Sequence, residues 1–558
     1  MPGPLRSPRF VATAGLVLLW CAAGTLLALW FSGRVHDWAV QTDEMQYAKL
    51  ALAVWETGSP LPSLHETSVS LANQLYPLLL APIYGPLSST DAFHGAHVLN
   101  AVVMTSAVFP AYLLGRELLP RAWSFAVAVL TVTVPWMVLT GFVMSESVAY
   151  PAFLWAMLAF QRTIVAPTPR RDLLAVAALG VAILARTQFS ALAIVLPAAV
   201  LGHELGLALA AGAGGIRRRL ATAVRAAVVG HSMLLALYGV AAAVAAGLVL
   251  GGYRLFGAYA TTVEGGSILP SGVLWSAVQH LAIVGIGSGF LPLLLGGGWM
   301  LAGVVRPTGR SRRGFATLSL LTVSALAFET ASFDLRFGGE DILRDRYLFY
   351  VVPLLLVASA AALTEGWRLP LAVGVASTTV LFAAGVHGLP FTTFPGLSVD
   401  SPVSIFNETL IDQSGGLGTG TFATLVVVLL GLALVAALLL SPRMPLALVA
   451  FAATLVFSSL VLRSEVERVL NGNGLTGRPL GESAGVVLDW VDSVLPEDET
   501  AALVAFPLSS AWGVSAIQFW DVEFWNRTLT QAYVAPNGNF TYTPFPVRTL
   551  AFDPLTGV

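Results

Sequence analysis

The sequence predicts an all-α, polytopic membrane protein with a small α/β domain near its C-terminal end, outside the membrane. Three observations carry that expectation. The chain is 56% hydrophobic and only 11% charged, where a soluble domain carries about 25% charged residues. Its mean hydropathy is +0.78, and its apolar residues gather in runs near the ~20 residues that a helix needs to cross a bilayer core of about 30 Å. From residue 462 onward the hydropathy drops and mixed helix and strand patterns take over. Continuous apolar runs argue against a transmembrane barrel, whose strands alternate. A net charge of −2 gives no electrostatic basis for nucleic-acid binding. A single cysteine, Cys21, excludes an intrachain disulfide and a thiolate zinc cluster.

The first apolar run, about 10–32, follows Arg6 and Arg9 and ends in FSGRVHD rather than in a small-residue cleavage site. It reads as a retained first helix with a cytoplasmic N-terminus. Further spans are expected near 95–115, 122–140, 147–163, 172–186, 188–205, 222–250, 276–304, 314–331, 346–363, 370–388, 421–440 and 443–461, about 13 in all. The pair 172–186 and 188–205 is short for a bilayer and could equally be one bent or broken element. With the N-terminus inside, the cytoplasmic connections hold 17 of the 29 Lys and Arg residues, the positive-inside pattern. An odd number of spans puts the C-terminal domain outside.

Three predicted external connections stand out. The loop 33–94 is too apolar in its middle for a free loop and is expected to hold short helices lying in the interface plane. The others are 251–275 and the charge-dense 332–345. The tail reads as a helix, a Gly/Asn-rich turn region, a helix SAGVVLDWVDSVL and a strand AALVAF. Two modules follow: a membrane module, 1–461, with its external loop 33–94, and an external domain, 462–558. No internal repeat is evident, which counts against an inverted-repeat transporter.

The residues that could carry chemistry lie at the predicted external ends. Asp43 and Glu44 stand together in QTDEMQY, just past the first span, followed by Tyr47 and by Lys49, the only lysine in the chain. Two readings stand. Thr42 could cap a helix with both acids in its first turn. Alternatively, the carboxylates could act as a general base toward a hydroxyl or ligate a divalent cation. Glu146 lies in the short external turn of MSESVAYP, where an acid at the membrane edge needs a partner. Arg186 is the one charge between Leu173 and Gly202; such an arginine is costly unless an anion answers it, and Glu146, Asp43 or a phosphate would serve. GGEDILRDRYLFYVVP places Glu340, Asp341, Arg344, Asp345, Arg346 and Tyr347 just before a span, and arginine suits the non-bridging oxygens of a phosphate. Asp334, Arg336, Arg254, Glu264, His65 and His94 are weaker candidates. No nucleotide-binding fingerprint is present: GAGG at 212–215 lacks the lysine and hydroxyl of a phosphate loop.

Taken together, this arrangement resembles the GT-C superfamily of polytopic glycosyltransferases, which use sugars activated on a polyprenyl or dolichyl phosphate. In that superfamily an acidic motif stands in the first large external loop, and Asp43 and Glu44, with Tyr47 following, match it. A second acid often stands in the next external turn, as Glu146 does. An arginine at the outer end of a later span is matched by Arg186, and RDRYLFYVVP looks like a late-loop motif of actinobacterial members, with Arg344 and Arg346 the candidates for the lipid phosphate. The tail resembles the external C-terminal domains of actinobacterial cell-wall and lipoglycan transferases. Two subgroups fit: bacterial relatives of the protein mannosyltransferase and aminoarabinose transferase group, and the mycobacterial arabinofuranosyl- and mannosyltransferases.

The resemblance implies inverting transfer of a sugar from a polyprenyl-phosphate donor to a hydroxyl on an envelope glycan, lipoglycan or protein acceptor, in the plasma membrane. Asp43 is then the base, with Glu44 and Glu146 beside it as catalytic candidates. Arg186, Arg344 and Arg346 take the donor phosphate, with Tyr47, Lys49, Asp345 and Tyr347 as further site candidates. A divalent cation (Mg, Mn or Ca) bridged by Asp43 and Glu44 is the candidate cofactor. The rival readings are a transporter or flippase of a lipid-linked intermediate and a non-enzymatic envelope assembly protein.

Overall fold

The computed structural model describes residues 8–61, 63–64, 67–68, 73–211, 215–252, 267–305, 309–337, 343–365, 368–389, 401–403, 419–440, 443–472, 478–481, 487–496, 499–505, 512–534 and 548–549. Arg254, Glu264, His65, Glu340 and Asp341 lie outside them. The chain is a polytopic α-helical membrane protein with a small parallel sheet near its C-terminal end. Among the described residues eight helices are long and apolar enough to cross a membrane, or nine if one bent pair is a single span.

The helices in chain order are α1 (Pro8–Ser32), α2 (Thr42–Thr57), α3 (Leu75–Tyr84), α4 (Ser89–Thr105), α5 (Val108–Arg116), α6 (Arg121–Thr131), α7 (Glu146–Val165), α8 (Pro169–Ala185), α9 (Leu192–Ala210), α10 (Ile216–Gly230) and α11 (Ser232–Leu250). They continue with α12 (Val273–Gly287), α13 (Gly297–Val305), α14 (Arg310–Phe337), α15 (Val352–Thr364), α16 (Arg368–His387), α17 (Thr419–Leu440), α18 (Arg443–Asn471), α19 (Trp490–Val494) and α20 (Trp512–Trp525). Several apolar runs that hydropathy reads as one span are broken. The run 122–140 becomes α6 and a 3-10 turn, Pro135–Gly141, bent by 51°. The run 276–304 is interrupted after α12, where Gly289 and Phe290 take φ values of 83° and 63° and Pro292 opens a π-helical turn. The run 222–250 divides at His231 between amphipathic α10 and apolar α11. Hydropathy sees composition, and these breaks are conformational.

Contacts divide the chain into two compact units. The first comprises Met1–Thr25, Met104–Met137 and Ala149–Glu465. Its helices approach closely where small residues meet: a Cβ on Gly374 of α16 would collide with the backbone of Gly298 in α13, and the reverse holds too. Lacking a hydrophobic drive between spans, membrane helices gain from such backbone proximity. Along α9 and α14, Gly202 abuts Thr317 and Gly206 abuts Arg313, which fixes the pair as antiparallel.

The second unit comprises Leu26–Val103, Val138–Val148 and Val466–Val558. The expected short helices of the loop 33–94 are α2 and α3, joined by a two-residue hairpin pairing of β1 (Ser63–Leu64) with β2 (Thr67–Ser68). The C-terminal portion carries a parallel sheet of β3 (Ala501–Ala505), β4 (Leu529–Val534) and β5 (Arg548–Thr549), in the order β3-β4-β5. Parallel neighbours need a crossover, and α20 supplies it between β3 and β4. Its aromatic run, FWDVEFW, forms the core here: Trp38 stacks on Phe524 with centroids 4.1 Å apart, and Phe93 meets Phe524 and Trp525 edge-on. Arg478 closes the same core, bonded through Nε and Nη2 to Asp37 at 2.5 and 3.1 Å and through Nη1 and Nη2 to Asp521 at 2.8 and 2.7 Å.

Candidate functional site

In the second unit the acidic motif opens α2. The residue at the capping position is Gln41, in extended conformation and without a side-chain cap bond. Thr42 is already helical, one residue too late to be the cap the sequence suggested. Asp43 and Glu44 do occupy the first turn, where the helix dipole favours anions. Directly ahead, Val40 has φ 60°. A β-branched residue in the left-handed region costs about 1–3 kcal/mol and persists only where its surroundings over-determine it; Val40 is buried. Asn73, which bonds to Tyr47 of the same motif, also has positive φ, 49°, a conformation asparagine tolerates.

The two carboxyls have different surroundings. Asp43 is half-buried. Glu44 is fully buried, and the Val143 amide donates to its Oε1 at 2.8 Å. Burial pushes the Glu44 carboxyl up to about 8; the Val143 amide offsets part of that rise and the charge of Asp43 adds to it. At neutral pH Glu44 therefore carries a proton and can donate one. One turn along, Tyr47 donates to Ser145 Oγ at 3.1 Å and accepts from Asn73 Nδ2 at 2.5 Å. Its ring meets Tyr76 edge-on at 5.3 Å, and Tyr76 donates to Asn100 Oδ1, 2.9 Å away. Glu146 is buried, begins α7 and follows Ser145 directly. The turn 143–146 thus lies against the start of α2, with Val143 bonded to Glu44 and Ser145 to Tyr47. Lys49 has another place: it is buried and donates to the Asn526 carbonyl at 2.8 Å, beyond the end of α20. Burial lowers its pKa, opposed by Glu523 and Asp492.

In the first unit the predicted pair 172–186 and 188–205 is one element broken at Arg186. That residue ends α8 in extended conformation, φ −154°, and a 3-10 turn, Thr187–Ala191, leads into α9. The Arg186 side chain at this break is buried. Arg186 donates from Nε to Gln188 Oε1 at 3.1 Å, and Gln188 Nε2 donates to the Tyr347 carbonyl at 2.9 Å. The Tyr347 ring lies 5.1 Å from the Arg186 guanidinium and 4.8 Å from that of Arg346, both within cation–π range. Asp345–Tyr347 is a 3-10 turn. Through it, Arg186 and Arg346 share one aromatic ring.

Arg344 points elsewhere. Its Nη1 lies 2.5 Å from Asp334 Oδ1, and its backbone amide donates to Asp334 Oδ2 at 3.0 Å. His280 completes that group, with Nε2 2.9 Å from Asp334 Oδ2 and Nδ1 2.7 Å from the Ser276 carbonyl. Asp345 is buried and accepts from the Val403 amide at 3.2 Å, a structural bond. Within this unit Glu329 of α14 interacts electrostatically with Arg186, a neighbour the sequence reading did not name beside Glu146, Asp43 or a phosphate. Its signal was present as a lone acid in the apolar run LAFETASF. Gln188, Asn73 and His280 carried no comparable signal, since neutral polar residues at these spacings are common.

The proposed cation was tested against the acidic motif. Among the described residues no group of three or more His, Cys, Asp or Glu is arranged to hold a metal ion. Glu44 also fits poorly, since a metal ligand must shed the proton that burial makes it hold.

No protein-family model matches the chain, and no curated protein matches it. Among solved structures it is similar to ArnT from Cupriavidus metallidurans in the apo state, with 15% identity and a TM-score of 0.47, over 94% of this chain and 86% of that one. It is similar to the same protein bound to undecaprenyl phosphate, with 15% identity and a TM-score of 0.46, over 93% and 86%. It is also similar to the archaeal oligosaccharyltransferase AglB from Archaeoglobus fulgidus in complex with an inhibitory peptide and a dolichol-phosphate, with 12% identity and a TM-score of 0.44, over 90% of this chain and 64% of that one.

Proposed function

We propose that the chain is a membrane glycosyltransferase that moves a sugar from a polyprenyl-phosphate donor to an acceptor hydroxyl at the external face of the plasma membrane, in synthesis of an envelope glycan or glycoconjugate. The observation that carries this reading is the pairing of Arg186 and Arg346 on one Tyr347 ring. Two buried guanidiniums fixed around an aromatic ring suit a phosphate joined to an apolar chain, with each arginine offering donors to non-bridging oxygens.

Asp43 takes the proton of the acceptor hydroxyl. The acceptor oxygen forms a bond to the anomeric carbon as the bond from that carbon to the phosphate oxygen breaks, and the configuration inverts. The electron pair leaves on the polyprenyl phosphate, whose charge Arg186 and Arg346 stabilise. Glu44, protonated beside Asp43, donates a hydrogen bond rather than competing as a second base; paired carboxyls in unlike surroundings divide acid and base work this way. Arg344, held by Asp334, positions the 345–347 turn.

The test uses the purified full chain in nanodiscs with radiolabelled donors. Label passing to a membrane acceptor from polyprenyl-phosphate sugars, and not from nucleotide sugars, is the expected result. Transfer from nucleotide sugars alone contradicts the proposal, as does transport of the donor across the bilayer without transfer.

A further inference from the structure

The far end of α14 holds a second basic cluster that the transfer reaction leaves unused. Arg310, Arg312 and Arg313 stand in its first turn, roughly 30 Å along the helix from Asp334. Arg310 donates to Glu204 Oε1 at 2.9 Å, and Arg312 Nε lies 3.0 Å from Glu365 Oε1; these two side chains are 46% and 42% exposed. Arg313 differs. It is only 3% exposed, and its Nε and Nη1 meet no acceptor among the described residues. It lies over Gly206 of α9, where an added Cβ would stand 2.8 Å from Nη1. His203 sits one turn earlier on the same face of α9. It too is fully buried, and neither ring nitrogen is hydrogen-bonded among the described residues.

The carboxylates of this region are committed elsewhere. Glu204 and Glu365 face the outer arginines, and Asp172 is engaged by Thr163 and His231. The adjoining stretches 212–214, 306–308 and 366–367 contain no Asp or Glu in sequence. A guanidinium withdrawn from water is costly without an anion.

We propose that Arg313 and His203 form the floor of a phosphate-binding site, with Arg310 and Arg312 at its exposed rim. A phosphate offers several charged oxygens in a tetrahedral array, which can accept from guanidinium and imidazole N–H groups together. The group could be a lipid headgroup phosphate or free inorganic phosphate.

The experiment measures thermal unfolding of the full chain in phosphatidylcholine nanodiscs. Phosphatidic acid is titrated into one series and inorganic phosphate, against matched chloride, into another. A saturable rise in Tm with either is expected. Arg313→Gln should weaken the apparent affinity by about tenfold or more, Arg313→Lys by less, and the rim variant Arg310→Gln least. A response to phosphatidic acid alone assigns a lipid, and a saturable response to inorganic phosphate over matched chloride assigns the free ion. No saturable response to either, or equal responses from wild type and Arg313→Gln, overturns the site. If Arg313→Gln does not fold, Gly206→Ala, which crowds the guanidinium, carries the same comparison.

Discussion

Glu44 shows how much one residue's surroundings change its chemistry. QTDEMQY displays two adjacent acids of apparently equal standing, and sequence alone cannot rank their burial. The structure separates them: one carboxyl is half-buried, the other enclosed against the Val143 amide. The consequence is measurable. Between about 4.5, the ordinary value, and about 8 in the fold, folded Glu44 holds a proton that the unfolded chain has shed. Its contribution to stability is fully present below pH 4.5 and is lost as pH rises toward 8, with a slope of up to about 1.4 kcal/mol per pH unit. Glu44→Gln should flatten the dependence of Tm on pH across that window and be more stable than wild type at its upper end. An unchanged slope would show that another group sets it. NRT at 526–528 matches the N-glycosylation pattern in sequence. Asn526 is fully buried, with Nδ2 donating to the Val522 carbonyl at 2.7 Å, so the folded protein should carry no glycan there when expressed in a glycosylating host; mass spectrometry decides.

At the scale of elements, the break between α8 and α9 matters most. The apolar runs on either side were legible, and so was the lone arginine between them. The conformation was not, because no glycine or proline marks the break; tertiary packing around Arg186, Gln188 and Tyr347 sets it. The same holds for RDRY, where a helical register would send Arg344 and Arg346 to different sides without saying which one meets Tyr347. Here Arg346 faces Tyr347 and Arg344 is spent on Asp334. Two predictions follow from that division of labour. Arg346→Gln should raise the KM for the polyprenyl-phosphate donor by roughly tenfold or more, the loss of one charge-assisted contact, whereas Arg344→Gln should raise it less and lower Tm more. Equal effects on KM would contradict the assignment. Arg186→Lys should also raise the donor KM, because an ammonium cannot reproduce a planar guanidinium held to Gln188 and stacked on Tyr347.

At the scale of the whole molecule, composition made the membrane class legible, and the fall in hydropathy near 462 lies close to where the second unit resumes, at Val466. What hydropathy could not show is that this C-terminal stretch belongs to one compact unit with Leu26–Val103 and Val138–Val148. Long-range pairs such as Arg478 with Asp37, and Lys49 with Asn526, are invisible to any local window. Removing one partner from a buried ion pair costs about 3–5 kcal/mol. Arg478→Met, which strands both Asp37 and Asp521, should therefore expose the C-terminal portion to limited proteolysis, at the lower end of that range because Arg478 is 23% exposed; an unchanged digestion pattern would show that the clamp is dispensable. Asp43 is the proposed base of a sugar transfer from a lipid phosphate. Single-turnover transfer and donor binding should be measured side by side for wild type and Asp43→Asn in nanodiscs. Donor affinity within about threefold of wild type and transfer slower by about 10²-fold or more are expected. Transfer by Asp43→Asn at the wild-type rate would contradict it.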